Sequence, residues 1–221
     1  MPYKTELHMH TNNISVCAHA TPEQAILSYQ KSGYRTIVVT NHMNRPAFSH
    51  MEKAPWEEKI AWFLQEQKRI QQYATADFSI LTGFELRFDE NHNDYLIYGA
   101  SDEFLLRHGD LMSMTLQEFR PLAQENGILI YQAHPFRHKM TLMDETLLDG
   151  LEAYNGNERH QSHNFLTVTW ANYTHLSMIS GSDYHRPHDP CNGGILTPEP
   201  ITDISGLMKV LKECSYQLLR G

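Results

Sequence analysis

Cysteine is scarce and scattered. Cys17, Cys191 and Cys214 are the three in 221 residues, and their wide spacing excludes a disulfide framework or a Cys-x-x-Cys zinc site. Long apolar runs are missing as well. No stretch approaches the about eighteen uninterrupted apolar residues of a membrane span, and the N-terminus lacks a basic-then-apolar signal pattern. A reduced, cytoplasmic location without a membrane partner is therefore expected. Positive charge is in deficit: 18 Lys and Arg against 26 Asp and Glu leave a net charge of −8. Such a surface repels a polyanion, so duplex nucleic acid is not expected as a partner. A small anion could still bind where cations or local arginines reverse the field. With no linker, low-complexity tract or fixed-period repeat, residues 1–221 are expected to form a single domain.

What is present is a regular alternation. Short apolar segments recur at 33–42, 78–88, 93–100, 127–135, 150–155 and 175–185, most of them closing on or beside a polar or charged group. Amphipathic stretches lie between them, at 21–33, 56–74, 115–127, about 158–173 and 201–214. The first of these is well punctuated. Thr21 can cap it, Pro22 occupies the first helical position, Gln24 completes a near capping box and Gly33 closes it. Strand–helix alternation at this spacing predicts an α/β chain with a parallel sheet and helices outside it, in about seven units.

Histidine is the outlier, with fourteen residues. His8 and His10 end the first expected strand, Asn41 and His42 the second, and Glu85 the third. His134 closes a later one, and Asp183 with His185 the last. In a parallel α/β sheet or barrel, all strand C-termini share one face. Residues distant in sequence would then meet. Side chains at i and i+2 of a strand point the same way, so His8 and His10 could grip one divalent cation while Met9 packs on the other side. Asp183 and His185 repeat the arrangement, and Glu85 can bridge two ions. Imidazole with carboxylate suits zinc, manganese or iron.

These residues resemble a known family. "ELHMHT", "TNH", "GFE", "AHPFR" and "GSDYH" look like the ordered motifs of the PHP (polymerase and histidinol phosphatase) domain, and "VCAHA" before "TPEQAI" is similar to its histidinol-phosphatase branch. The resemblance implies a distorted (β/α)7, TIM-like barrel with two or three divalent ions (Mn, Zn or Fe). His8, His10, Glu85 and Asp183 would hold one ion. Glu85 would bridge to a second, shared with His134. His19, His42 and His185 would hold a third. Two departures stand out. Asn41 replaces the family's common Asp and would act behind the ligands. No clean histidine completes the second ion, where Asp94, or alternatively His92, is expected to serve.

Activity follows from that resemblance. Clustered ions lower the pKa of a shared water and offset phosphoryl charge. Glu85, Asp183 and His185 then count as catalytic. Arg137 and Arg186, each just after a motif histidine, are the expected phosphate-binding residues, with Arg45 and Arg87 behind them. Glu152 and Asn155 end another strand, and Glu152 is expected to be a buried partner of a ligand histidine. The leading expectation is a phosphomonoesterase acting on a small phosphorylated substrate. A phosphodiesterase or nuclease acting on nucleotides or short oligonucleotides, and a non-catalytic metal-binding module, remain alternatives.

Overall fold

The structure is a computed structural model that describes residues 2–221. In chain order the strands are β1 (Tyr3–Glu6), β2 (Tyr34–Val39), β3 (His42–Met43), β4 (Ser79–Thr82), β5 (Phe84–Leu86), β6 (Tyr95–Tyr98), β7 (Leu129–Gln132), β8 (Gly150–Asn155), β9 (Ser177–Gly181), β10 (Ile195–Thr197) and β11 (Gln217–Leu218). The helices are α1 (Pro22–Lys31), α2 (Trp56–Gln71), α3 (Asp102–Arg107), α4 (Leu116–Glu125), α5 (Asn164–Thr174) and α6 (Ile204–Glu213).

Local chemistry explains the helix starts. Thr21 Oγ1 accepts from Gln24 N at 3.3 Å, and Thr21 N donates to Gln24 Oε1 at 3.0 Å, the reciprocal cap expected for α1. Thr115 and Glu118 repeat it on α4. Gly33 takes φ 75° after α1, a conformation that costs glycine little.

The strands form two mixed sheets, ordered β11-β10-β1-β2-β4 and β3-β5-β6-β7-β8-β9. The expected all-parallel arrangement does not hold. β6 runs antiparallel to both β5 and β7. The reason lies in the connection: residues 87–94 carry no helix, and a parallel crossover needs a dozen or more residues. β6 is still buried on both faces. Tyr95 and Ile97 join the core under α2, α3 and α4, while Leu96 and Tyr98 join Leu7, Val38, Leu81, Tyr131 and Ile179 in a second core. A third packs Met9, Ile37 and Val39 against Ala25, Ile26 and Tyr29 of α1.

Backbone hydrogen bonds join the two sheets near the strand C-termini. Gly83 N donates to Val39 O at 3.0 Å and Glu85 N to Asn41 O at 3.1 Å, where β2 gives way to β3 and β4 to β5. At the other seam Asp183 N donates to His8 O and His10 N to Tyr184 O, each at 2.8 Å. Gly181 permits that second approach, since a Cβ there would lie 2.3 Å from His8 Cβ. Among the described residues, no helix is long and apolar enough to cross a membrane.

Candidate metal centre

The seam between β1 and β9 brings His8 and His10 beside Asp183 and His185. Glu85 enters from β5, His42 from β3, and His134 follows β7. Glu85 lies at the middle. Its Oε1 is 3.3 Å from His8 Nε2 and 3.2 Å from His134 Nε2. Its Oε2 is 3.3 Å from His10 Nε2 and 2.9 Å from His42 Nδ1. Asp183 Oδ1 lies 3.4, 3.5 and 3.3 Å from His8 Nε2, His10 Nε2 and His185 Nδ1. His8, His10, Glu85 and Asp183 are essentially buried.

The far ring nitrogens set the tautomers. His8 Nδ1 donates to Glu152 Oε1 at 2.7 Å, and His10 Nδ1 sits 3.2 Å from Ser15 Oγ. Ser15 Oγ spends its own hydrogen on Asn41 Oδ1, at 2.8 Å. Both Nε2 atoms therefore face inward with lone pairs, 3.0 Å apart, amid two carboxylates. Acceptors so placed repel unless a proton or a cation lies among them. Donors about 2.0–2.2 Å from a tetrahedral ion stand about 3.2–3.6 Å from one another, close to the spacing of 2.9 to 3.5 Å seen here. Four groups of donor atoms lie within 4.8 Å of one another: His8–His10–Glu85, His8–His134–Asp183, His10–His42–His185 and His42–Glu85–Asp94. His134 Nδ1 is buried without a hydrogen-bond partner. The donor set fits divalent cations.

The electrostatics give the same answer. Burial opposes charge on His8, but Glu152, Glu85 and Asp183 outweigh it and hold its pKa well above the usual imidazole value. Against burial, Glu85 and Cys17 raise His42 in the same way. His10 is driven well below that value by burial and by the charges of His185 and His42. Burial would raise the carboxyls of Glu85 and Asp183, yet His8 with His42, and His8 with Arg137, keep them well below the carboxylate range. Burial would also raise the Cys17 thiol, but proximity to His185 and His42 brings it to about 6.

Two of these residues sit on unusual backbone. His134 (φ 31°) and Asp183 (φ 50°) occupy positive φ directly after β7 and β9. Such positions persist only where the surroundings over-determine them. Here His134 N donates to Glu152 Oε2 at 3.0 Å, and Asp183 N to His8 O. Glu152 thus holds a ring and a backbone at once, in the position expected of it. Asn41 is likewise built in behind the donors, accepting from Thr11 N and Ser15 Oγ.

His42, Glu85, Asp94, His134, Asp183 and His185 line a cavity of about 210 Å³ with Cys17, Arg87, Arg137, Arg159 and His160. Arg137 Nη2 donates to Asp183 Oδ2 at 2.8 Å, and to Asn155 Oδ1 and Ser162 Oγ, each at 3.0 Å. Four expectations fall outside this arrangement, among them Arg45, which pairs with Asp89 and Asp110 away from the cavity wall. His19 is exposed and belongs to none of the donor groups. His92 is also exposed. Arg186 is exposed and off the cavity wall, because its backbone turns away with its N–H on Asp189 Oδ2. Asp94 does approach, 3.9 Å from His134 Nε2, but Arg87 Nε and Nη2 grip its two oxygens at 2.7 and 2.5 Å.

Sequence reasoning missed Glu6, Ser15, Cys17 and Arg159. Fully buried Glu6 accepts from the N–H groups of Leu7, His8 and Ser182 at 3.0, 2.8 and 2.9 Å, tying β1 to β9. Its place two residues before the His-x-His pair was the available signal. Ser15, Cys17 and Arg159 carry none without the tertiary fold.

No family model matches the sequence, and no curated protein sequence matches it. Solved structures do match. One is a two-domain protein from Bacteroides vulgatus ATCC 8482 containing a predicted PHP-like metal-dependent phosphoesterase, with TM-score 0.66 and 15% identity over 100% of this chain and 65% of that one. PsfC from Pseudomonas syringae PB-5123 matches with TM-score 0.68 and 14% identity, over 94% and 88% of the two chains. Endonuclease Q, in complex with a 27-mer duplex carrying an abasic lesion at its active site, matches with TM-score 0.59 and 13% identity, over 96% of this chain and 57% of its own. The chain thus spans about two thirds or less of the first and third. Its fold is shared with PHP-like phosphoesterase structures. Because one structure of this fold holds duplex DNA, the expectation that duplex nucleic acid is no partner finds no support.

Proposed function

We propose that the chain is a PHP-family metal-dependent phosphoesterase that hydrolyses monoesters of small phosphorylated molecules. The observation that carries this reading is the inward convergence of lone pairs from His8, His10, Glu85 and Asp183, centred on the 3.0 Å approach of two Nε2 atoms. In this reading those four hold one ion, Glu85 and His134 with Asp94 nearby a second, and His42 with His185 a third. The two sheets would be the halves of a distorted (β/α)7 barrel, a view supported by the hydrogen bonds at both seams. Divalent ions, when bound, supply a water of lowered pKa and offset phosphoryl charge.

The chain's own part is positioning. Arg137, fixed by Asp183, Asn155 and Ser162, presents its guanidinium to the cavity, where it can meet phosphoryl oxygens. Arg87 and Arg159 also reach the wall, each paired with a carboxylate, Asp94 and Asp189. A cavity of about 210 Å³ suits a phosphoryl group with a small ester better than a long polymer. The shared fold of endonuclease Q keeps the second reading, a diesterase or nuclease, in view.

The test is direct. Metal content is measured on the purified chain, and hydrolysis of p-nitrophenyl phosphate is compared with that of bis-p-nitrophenyl phosphate. Faster monoester turnover supports the proposal and faster diester turnover the second reading. No turnover with Mn²⁺, Zn²⁺ or Fe²⁺ leaves a non-catalytic metal-binding module. In the His10→Ala and Asp183→Ala variants, turnover is expected to vanish while circular dichroism stays largely intact. Unchanged activity in both would refute the site.

A further inference from the structure

We infer that Cys17 supplies a thiolate to the cation held by His42 and His185, in the place where the family resemblance expects the imidazole of His19. The inference rests on the metal-dependent reading of the site and concerns which side chain completes one of its ions.

His42 and His185 alone make an incomplete set. The third imidazole of their group, His10, directs Nε2 toward His8, Glu85 and Asp183. Nδ1 of His42 is buried and lies 2.9 Å from Glu85 Oε2. His19 does not fill the gap. His19 N and Ala20 N both donate to His185 O, at 2.8 and 2.9 Å, and His19 is off the cavity wall, while Cys17, equally exposed, is on it. Two residues earlier the chain turns, with Ala18 N on Ser15 O at 2.9 Å. That turn places Cys17 on the wall with His42 and His185. Of the wall's remaining donors, His160 neighbours Arg137, Asp183 and Arg159 instead. The other thiols are elsewhere: Cys214 lies against Ser177, and Cys191 is close to Glu6.

Coordination would release the thiol proton to solvent and place a sulfur lone pair on the ion. One sulfur with two imidazoles favours zinc, cobalt or iron over manganese or magnesium. It would make this the softest part of an otherwise nitrogen and oxygen centre.

Cobalt(II) reads the sulfur directly. The wild-type chain, Cys17→Ser and His19→Ala are loaded with Co²⁺, bound cobalt is counted, and the near-ultraviolet absorption is recorded. A sulfur-to-cobalt charge-transfer band is expected in the wild type and in His19→Ala, and is expected to be lost in Cys17→Ser. Cobalt-loaded wild type without the band, or a band that survives in Cys17→Ser, would overturn the inference. Hydrolysis of p-nitrophenyl phosphate by the same samples separates the two claims. Turnover without the band removes Cys17 and leaves the phosphoesterase reading standing. The band without turnover does the reverse. Failure to bind cobalt at all removes both.

Discussion

Glu152 meets the site from behind. One carboxylate oxygen fixes His8 through Nδ1, and the other holds the backbone of His134 and the amide of Asn155. A group that orients a ligand ring and raises its basicity typically changes metal affinity about 10–100-fold when lost. Glu152→Gln keeps an acceptor and removes the charge, so bound metal is expected to fall by about that factor in a competition titration with a chelator. Wild-type affinity in this variant would show that the contact only packs. Arg137 acts on the open side of the centre. It would bind phosphate in both ground and transition states, so Arg137→Ala is expected to raise KM and lower kcat. Steady-state kinetics with p-nitrophenyl phosphate would read both parameters. A changed kcat with unaltered KM would place Arg137 away from the bound ester.

At the scale of elements, the site depends on how closely β9 passes β1. Gly181 ends β9, and a methyl group there would meet His8 Cβ at 2.3 Å and Glu152 Oε1 at 2.7 Å. Neither neighbour can yield without moving a strand or a ligand. Gly181→Ala is expected to cost about 2–4 kcal/mol, as overpacking and a broken buried network do together. Urea unfolding of the metal-free variant measures this, and a loss below about 0.5 kcal/mol would show that the seam adapts. The element pattern also marks where sequence reasoning succeeds. α1 was legible because its signals are local: Thr21, Pro22 and Gln24 act within one turn. β6 was legible as a strand but not in direction. An apolar strand buried on both faces reads alike in either sense, and only the short 87–94 connection reverses it.

For the whole molecule, the chief electrostatic feature is a buried centre that demands positive charge. In the metal-free chain, protons serve that demand. Burial opposes them, but the surrounding carboxylates and the Cys17 thiol raise His8, His42 and His185 above their usual value. A raised imidazole stabilises the fold fully below its unfolded pKa of about 6.5 and loses that contribution as pH rises through the folded value. His10 and Cys17, both lowered, work the opposite way, but they are two groups against three. Chelated protein is therefore expected to unfold at a lower temperature at pH 9 than at pH 6.5, and added divalent metal to reverse the loss. Cation binding must displace these protons, so apparent affinity is expected to rise with pH. Calorimetry in two buffers of different ionisation enthalpy counts the protons released. No proton release would contradict the charge arrangement described above.

The linear sequence by itself singled out His8, His10, His42, Glu85, His134, Asp183 and His185, which the structure gathers on β3 and β5 and just beyond β1, β7 and β9. Strand termini gather on one face whatever the details of packing, and a polar group closing an apolar run is visible in one dimension. It also determined Glu152 and Asn41 as supporting residues, and Arg137 beside the centre. Only the tertiary structure decided what the loops do. The turn at Ser15–Ala18 brings Cys17 rather than His19 to the cavity, and the hold of Asp189 on the 185–186 backbone turns Arg186 outward while Arg87 and Arg159 take the wall. A loop's direction follows from hydrogen bonds to partners distant in the chain, and those partners acquire positions only when the sheets close around them.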